Sequence, residues 1–136
     1  MTALIEYAGN LRCVAKHVQS GSLIETDAPT DNHGKGERFS PTDSLCMALA
    51  TCMLTTMGIK VNSMEGVSID GATAEVTKHM AANPRRVSAI DVTLHLPAQE
   101  DEKTQEILEQ VGNNCPVAKS IHPDIKLDLK YIWQKS

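Results

Sequence analysis

Aromatic residues make up only 3% of this 136-residue sequence, with one Trp, two Tyr and one Phe. Its core must therefore be built from Val, Ile, Leu, Met and Ala, which carry less buried area per residue than aromatic rings. A core shared across a dimer would relieve that shortage. Positive charge is scarce as well: 13 Lys and Arg against 17 Asp and Glu leave a formal net charge of −4. No basic field is present to hold a nucleic acid or an anionic membrane, and the local exception, Arg85 with Arg86, reads as a solvated hairpin tip. There is no P-loop, no dinucleotide-binding glycine pattern and no internal repeat, so nucleotide chemistry is not indicated. No uninterrupted apolar run reaches the roughly 18 residues of a membrane span. The first residues lack the basic start, apolar stretch and cleavage site of a signal peptide. The expectation is one soluble domain over residues 1–136, in a reducing, cytoplasmic compartment.

The cysteines, Cys13, Cys46, Cys52 and Cys115, form no C-x-x-C pair. That removes the thioredoxin and zinc-ribbon patterns and favours free thiols over a disulfide framework. Neither a metal nor a cofactor is expected.

What is present reads as strands punctuated by two helices. "ALIEYAG" alternates apolar and polar residues, Gly9-Asn10 is a two-residue turn signal, and "LRCVAKHV" and "SLIETDA" continue a meander of three strands. The polar "PTDNHGKGER" is a loop. In "FSPTDSLCMALATCML", Ser40 fits an N-cap, Pro41 the first helical position, and Asp43 a carboxylate that reaches back to the cap. No charged residue falls between 45 and 59, so this helix, expected over 41–63, should be apolar all round and buried on every side. A second chain covering one side would account for it. "VSIDGATAEVTKHM" and "RRVSAIDVTLHLP" are strands joined around "AANP", with Ile90, Val92, Leu94 and Leu96 on one face and His95 on the wet one. "QEDEKTQEILEQVGNN" is an amphipathic helix ended by Gly112, and "IKLDLKYIW" a last half-buried strand. The order β-β-β-α-β-β-α-β argues for an α+β fold with a mostly antiparallel sheet.

Cys115 precedes Pro116 and would cap a short "PVAKSI" turn, where free N–H groups favour a thiolate. A small polar side chain that merely caps a turn fits equally well. Cys52 lies deep in the apolar helix, where burial raises a thiol pKa, so on composition it is packing unless a cation is brought to it. Arg12 and Arg38 are the basic residues nearest the first strands and the loop. Cys46 points to a neighbouring side of the helix, and Cys13 reads as a small core residue.

"FSPTDSLCMALATCML" followed by the distant "NNCPVAKSIHPDIKLDL" resembles the OsmC and organic hydroperoxide resistance (Ohr) family of thiol peroxidases. The resemblance covers a proline-started, alanine-rich helix bearing a cysteine, a distant Cys-Pro motif, and the element order along essentially the whole chain. It implies an intertwined homodimer whose long central helices are wrapped by antiparallel sheets, with active sites at the interface. By the same resemblance Cys52 is the peroxidatic cysteine and Cys115 the resolving one. Substrates would be small organic or lipid hydroperoxides, and an external thiol or dithiol would be the reductant. Neither nucleic acid nor membrane is implied as a partner. The sequence departs from the family pattern where a glutamate after the helix-start proline holds the activating arginine. Thr42 stands there with Asp43 next to it, which leaves Asp43 as a possible orienting carboxylate and both Arg12 and Arg38 as candidates for the arginine. The departure leaves a second reading open, a dimeric redox-sensing or apolar-ligand-binding protein with little turnover.

Overall fold

The structure, a computed structural model, describes residues 1–135. Its elements are β1 (Ala3–Gly9), β2 (Arg12–His17), β3 (Leu23–Asp27), α1 (Pro41–Val61), β4 (Thr73–Ala81), β5 (Arg86–Leu96), α2 (Glu102–Asn113) and β6 (Lys126–Trp133). The expected order of strands and helices is the observed one, and the fold is α+β. Two compact units divide the chain, Met1–Leu45 and the residues from Cys46 on.

In the first unit β1, β2 and β3 form an antiparallel meander. The turn between β1 and β2 sits one residue later than the sequence suggested. Gly9 pairs with Arg12, so the two turn residues are Asn10 and Leu11. Both are left-handed, at φ 55° and 64°, the conformation that matches the twist of a two-residue hairpin. The Leu11 N–H donates to the Tyr7 hydroxyl at 3.2 Å. This shift makes Arg12 the first residue of β2, and the separate register of β2 on β3 puts it directly opposite Asp27. The loop that follows is tied to itself by hydrogen bonds from Gly34 N to Pro29 O and from Gly36 N to Ala28 O. Gly34 packs so closely on the Ala28 carbonyl that no Cβ fits there.

The start of α1 is a reciprocal capping box: Asp43 N donates to Ser40 Oγ, and Ser40 N to the Asp43 carboxylate, both at 2.9 Å. The helix stops at Val61, two residues short of the expected end. Within one chain it is not buried on every side. Cys46, Leu49, Ala50, Met53, Met57 and Val61 form one buried stripe, while Met47, Thr51, Thr55 and Ile59, spaced by one turn, stay exposed. Ile59 keeps 66% of its surface. By length and composition alone α1 could also cross a membrane, so the absence of a long uninterrupted apolar run did not exclude a span. Its buried stripe is that of a core helix.

The second sheet has the order β4-β5-β6. β4 and β5 are an antiparallel hairpin, whereas β5 and β6 run parallel, as a crossover through α2 requires. Ile90, Val92, Leu94 and Leu96 of β5 have no exposed surface, which is the face the alternation marked. Asp101 caps α2 by accepting Lys103 N–H at 2.9 Å. Gly112 does not follow this helix as a terminator. It is buried inside the last turn, with Asn114 as the C-cap.

Candidate active site

The second unit brings Cys52 of α1 and Cys115 of the segment after α2 close enough for each thiol to shift the acidity of the other. Both are free thiols, Cys52 partly exposed and Cys115 fully buried. Their environments push them in opposite directions. Burial raises the Cys52 thiol, but the Val117 backbone N–H, the Thr56 hydroxyl and the Cys115 thiol act against it, and the net pKa is below the ordinary cysteine value. The Thr56 hydroxyl has one proton, and its short bond, 2.7 Å, is to the Cys52 carbonyl, with the sulfur at 3.8 Å.

Cys115 is the reverse case. Burial pushes its pKa up, backbone N–H groups of Ala118 and Val117 only partly offset this, and the neighbouring Cys52 sulfur raises it further. The sequence argument that free N–H groups after Pro116 favour a thiolate is correct about the turn and wrong about the sulfur. The segment folds as successive turns, with Lys119 N on Cys115 O and Ile121 N on Val117 O. Val117 N–H then serves Cys52, not only the residue that begins the turn. At a given pH the thiol of lowered pKa carries more thiolate and is the more reactive of the two.

In the first unit the register that pairs Arg12 with Asp27 closes a two-pronged ion pair. Arg12 Nε and Nη2 donate to the two Asp27 oxygens at 2.7 and 2.8 Å. Glu25 and Glu37 lie 3.9 and 3.7 Å from the same guanidinium. The hydrogen-bonded Arg12 holds the Asp27 carboxyl below the usual carboxylate range despite its burial. Arg38 is more exposed, 3.5 Å from Glu25, and donates to the Glu37 carbonyl. Asp43, offered by the sequence as an orienting carboxylate, accepts the Ser40 N–H in the helix cap.

Thr56 and the Val117 N–H beside Cys52, and the Asp27 partner of Arg12, were not picked out in the sequence. Thr56 could have been found, since a residue four positions after Cys52 shares its helix face. Alternation in "SLIETDA" puts Glu25 and Asp27 on one face, but only the hairpin register sets Asp27 against Arg12.

Two thiols of opposed acidity, one on a helix and one beyond an α2 crossover, define an α+β protein with a paired-thiol site. A model of the OsmC-like protein family matches residues 34–130. A crystal structure from Psychrobacter arcticus 273-4, of a candidate osmotic stress induced and detoxification response protein, shares 53% identity with this chain. It covers 96% of this chain and 95% of its own, with a TM-score of 0.92. The chain belongs to the OsmC-like family. The fold recurs in an OsmC-like protein from Mycoplasma pneumoniae, at 17% identity, 98% and 96% coverage and a TM-score of 0.80. It recurs again in an organic hydroperoxide resistance protein OsmC from Legionella pneumophila, at 16% identity, 97% coverage of each chain and a TM-score of 0.71. A search of curated proteins found no match.

Proposed function

We propose that this protein is a thiol-dependent peroxidase that reduces organic hydroperoxides, within the redox and stress-response role to which its family points. The observation that carries the reading is the pairing of two neighbouring thiols of opposed acidity, the Cys52 pKa lowered and the Cys115 pKa raised. The Cys52 thiolate attacks the terminal oxygen of the hydroperoxide. The O–O bond breaks, the alkoxide leaves and takes a proton to become an alcohol, and Cys52 becomes a sulfenic acid. Cys115 then loses its proton and attacks the Cys52 sulfur, and the displaced hydroxide leaves as water. The intramolecular disulfide is returned to two thiols by an external thiol or dithiol.

The reading assigns the activating role to Arg12 over Arg38, because a buried carboxylate grips Arg12 by two donors. It assigns the orienting role, which Thr42 cannot fill, to Asp27. It includes a homodimer with active sites at its interface, supported by apolar residues that one chain leaves open: Ile5, Tyr7 and Ile24 in the first sheet and Ile59 on α1. The four free thiols suit a reducing, cytoplasmic compartment.

The test is intact mass and thiol count after mixing reduced protein with one equivalent of cumene hydroperoxide. Two thiols should be lost rapidly, with arrest at a sulfenic acid in Cys115→Ser and no reaction at this site in Cys52→Ser. Survival of both thiols in excess organic peroxide would remove the enzyme reading.

A further inference from the structure

Cys115 is placed by the end of α2, and the end of α2 is held by β6. The Tyr131 hydroxyl reaches the Glu109 carbonyl at 3.2 Å and the Asn113 side-chain oxygen at 2.8 Å. Two residues along the same strand face, Trp133 Nε1 donates to the Glu109 carboxylate at 3.3 Å. These bonds grip the last turn of the helix, and the chain leaves that turn directly for Cys115. The Cys115 N–H still donates to Gly112 O at 3.4 Å, and Asn114 N–H to Val111 O at 3.3 Å. Burial, then the Glu109 carboxylate and the Cys115 sulfur, push the phenol pKa above its ordinary range. Tyr131 therefore remains a donor at any pH near neutrality.

Gly112 shows how close this contact is. A Cβ there would lie 2.5 Å from the Tyr131 hydroxyl and 3.3 Å from Met57 Sδ. Glycine inside a helix is less favourable than alanine, and Gly112 lacks the positive φ that would call for glycine on backbone grounds. What requires it is the phenol pressed against the helix backbone on one side and Met57 of α1 on the other. Cys52 is carried by that same α1, so one wedge of β6, α2 and α1 sets where the Cys115 sulfur sits relative to Cys52.

We propose that Tyr131 and Gly112 are positioning residues for Cys115, and that their contact sets the rate at which Cys115 closes a disulfide on an oxidised Cys52. This rests on the pairing of Cys52 with Cys115 in the proposed function. It adds residues that touch neither sulfur's chemistry directly.

Ellman's reagent tests it without any peroxide. In a Cys13→Ser, Cys46→Ala background the Cys52 thiolate attacks the reagent, releases one thionitrobenzoate and keeps the other as a mixed disulfide. Cys115 then attacks the Cys52 sulfur and releases the second. Tyr131→Phe removes only the hydroxyl, and the second release should slow by about tenfold or more while the first changes by less than about threefold. The mixed disulfide should then accumulate in the intact mass. Gly112→Ala should slow the second release in the Tyr131 protein and add little in the Tyr131→Phe protein, where the atom nearest to the new methyl is gone. An unchanged ratio of second to first release in Tyr131→Phe, or equal effects of Gly112→Ala in both backgrounds, would overturn the proposal. A failure of the peroxidase reading is separable, since cumene hydroperoxide would leave the thiols intact while Ellman's reagent still reported the two releases.

Discussion

Two sheets of three strands each make up this protein, and they are buried to opposite degrees. In the second sheet, four residues on one face of β5 have no exposed surface, whereas in the first Ile5, Tyr7 and Ile24 share a face and stand 58%, 64% and 58% exposed. The second sheet backs a finished core; the first carries an apolar face without one. The chemistry divides the same way. The thiol pair belongs to the unit with the core, and the Arg12–Asp27 pair to the sheet with the open apolar face. Each grouping is complete within one chain, the sulfurs inside the unit with the core and the ion pair beside an open apolar face.

The sharpest test of that division is to damage each sheet in turn. Leu94→Ala, in the buried face of β5, should lower the unfolding free energy by about 2–5 kcal/mol, as a cavity in a closed core does. Ile24→Ala, on the open face, should cost less, and its cost should grow with protein concentration if a second chain covers that face. Urea unfolding at two protein concentrations checks both, and equal, concentration-independent losses would erase the distinction between the sheets.

The second test attacks the cover itself. Ile5→Asp with Ile24→Asp puts two charges on the exposed apolar face, and an association that buries them should weaken by about 100-fold or more. Sedimentation should find the unsubstituted protein at about twice its 14.8 kDa chain mass and the double variant as single chains. Single chains in both would mean that the face is covered by something other than a second copy.

A third, smaller effect separates the two acidic candidates. Asp27→Asn removes the charge that grips Arg12 and should slow Cys52 oxidation by cumene hydroperoxide about tenfold. Asp43→Ala breaks the helix cap and should cost about 1 kcal/mol of stability with less effect on that rate. If the two substitutions exchange effects, Asp43 is the orienting carboxylate and Asp27 is structural.

The contrast also explains what could be read from the residues alone. β5 was legible because alternation of Ile90, Val92, Leu94 and Leu96 with polar residues has one stable burial. The start of α1 was legible because Ser40, Pro41 and Asp43 each do something local. What escaped depended on register and on tertiary contact. The register of β2 against β3 decided that Arg12 faces Asp27, and a helical glycine read as a stop proved to be a contact surface for Tyr131. The acidities of Cys52 and Cys115 were inverted for the same reason, because the donor that matters to Cys52 comes from Val117, 65 positions away in the chain.

That inversion gives the mildest test, a pH profile of the two thiols. Alkylation by iodoacetamide consumes the thiolate, so each rate rises with pH and levels off above that thiol's own pKa. The Cys52 pKa lies below the ordinary cysteine value and the Cys115 pKa above it. Cys52 should therefore reach its plateau at a lower pH than free cysteine, and Cys115 at a higher one, leaving a pH window between the two plateaus in which Cys52 is labelled faster. Peptide mass spectrometry of protein labelled across pH 6 to 10, roughly the span in which cysteine thiols titrate, reads both curves at once. Cys115→Ala removes one donor to the Cys52 sulfur while leaving the Val117 N–H, so the Cys52 curve should move up in pH but stay below that of free cysteine. A Cys52 curve lying on or above that of free cysteine in the unsubstituted protein would mean that desolvation outweighs the turn's N–H groups. The N–H groups of that turn would then not suffice to lower the Cys52 pKa, and the thiol pair of the core unit would not by itself supply the nucleophile.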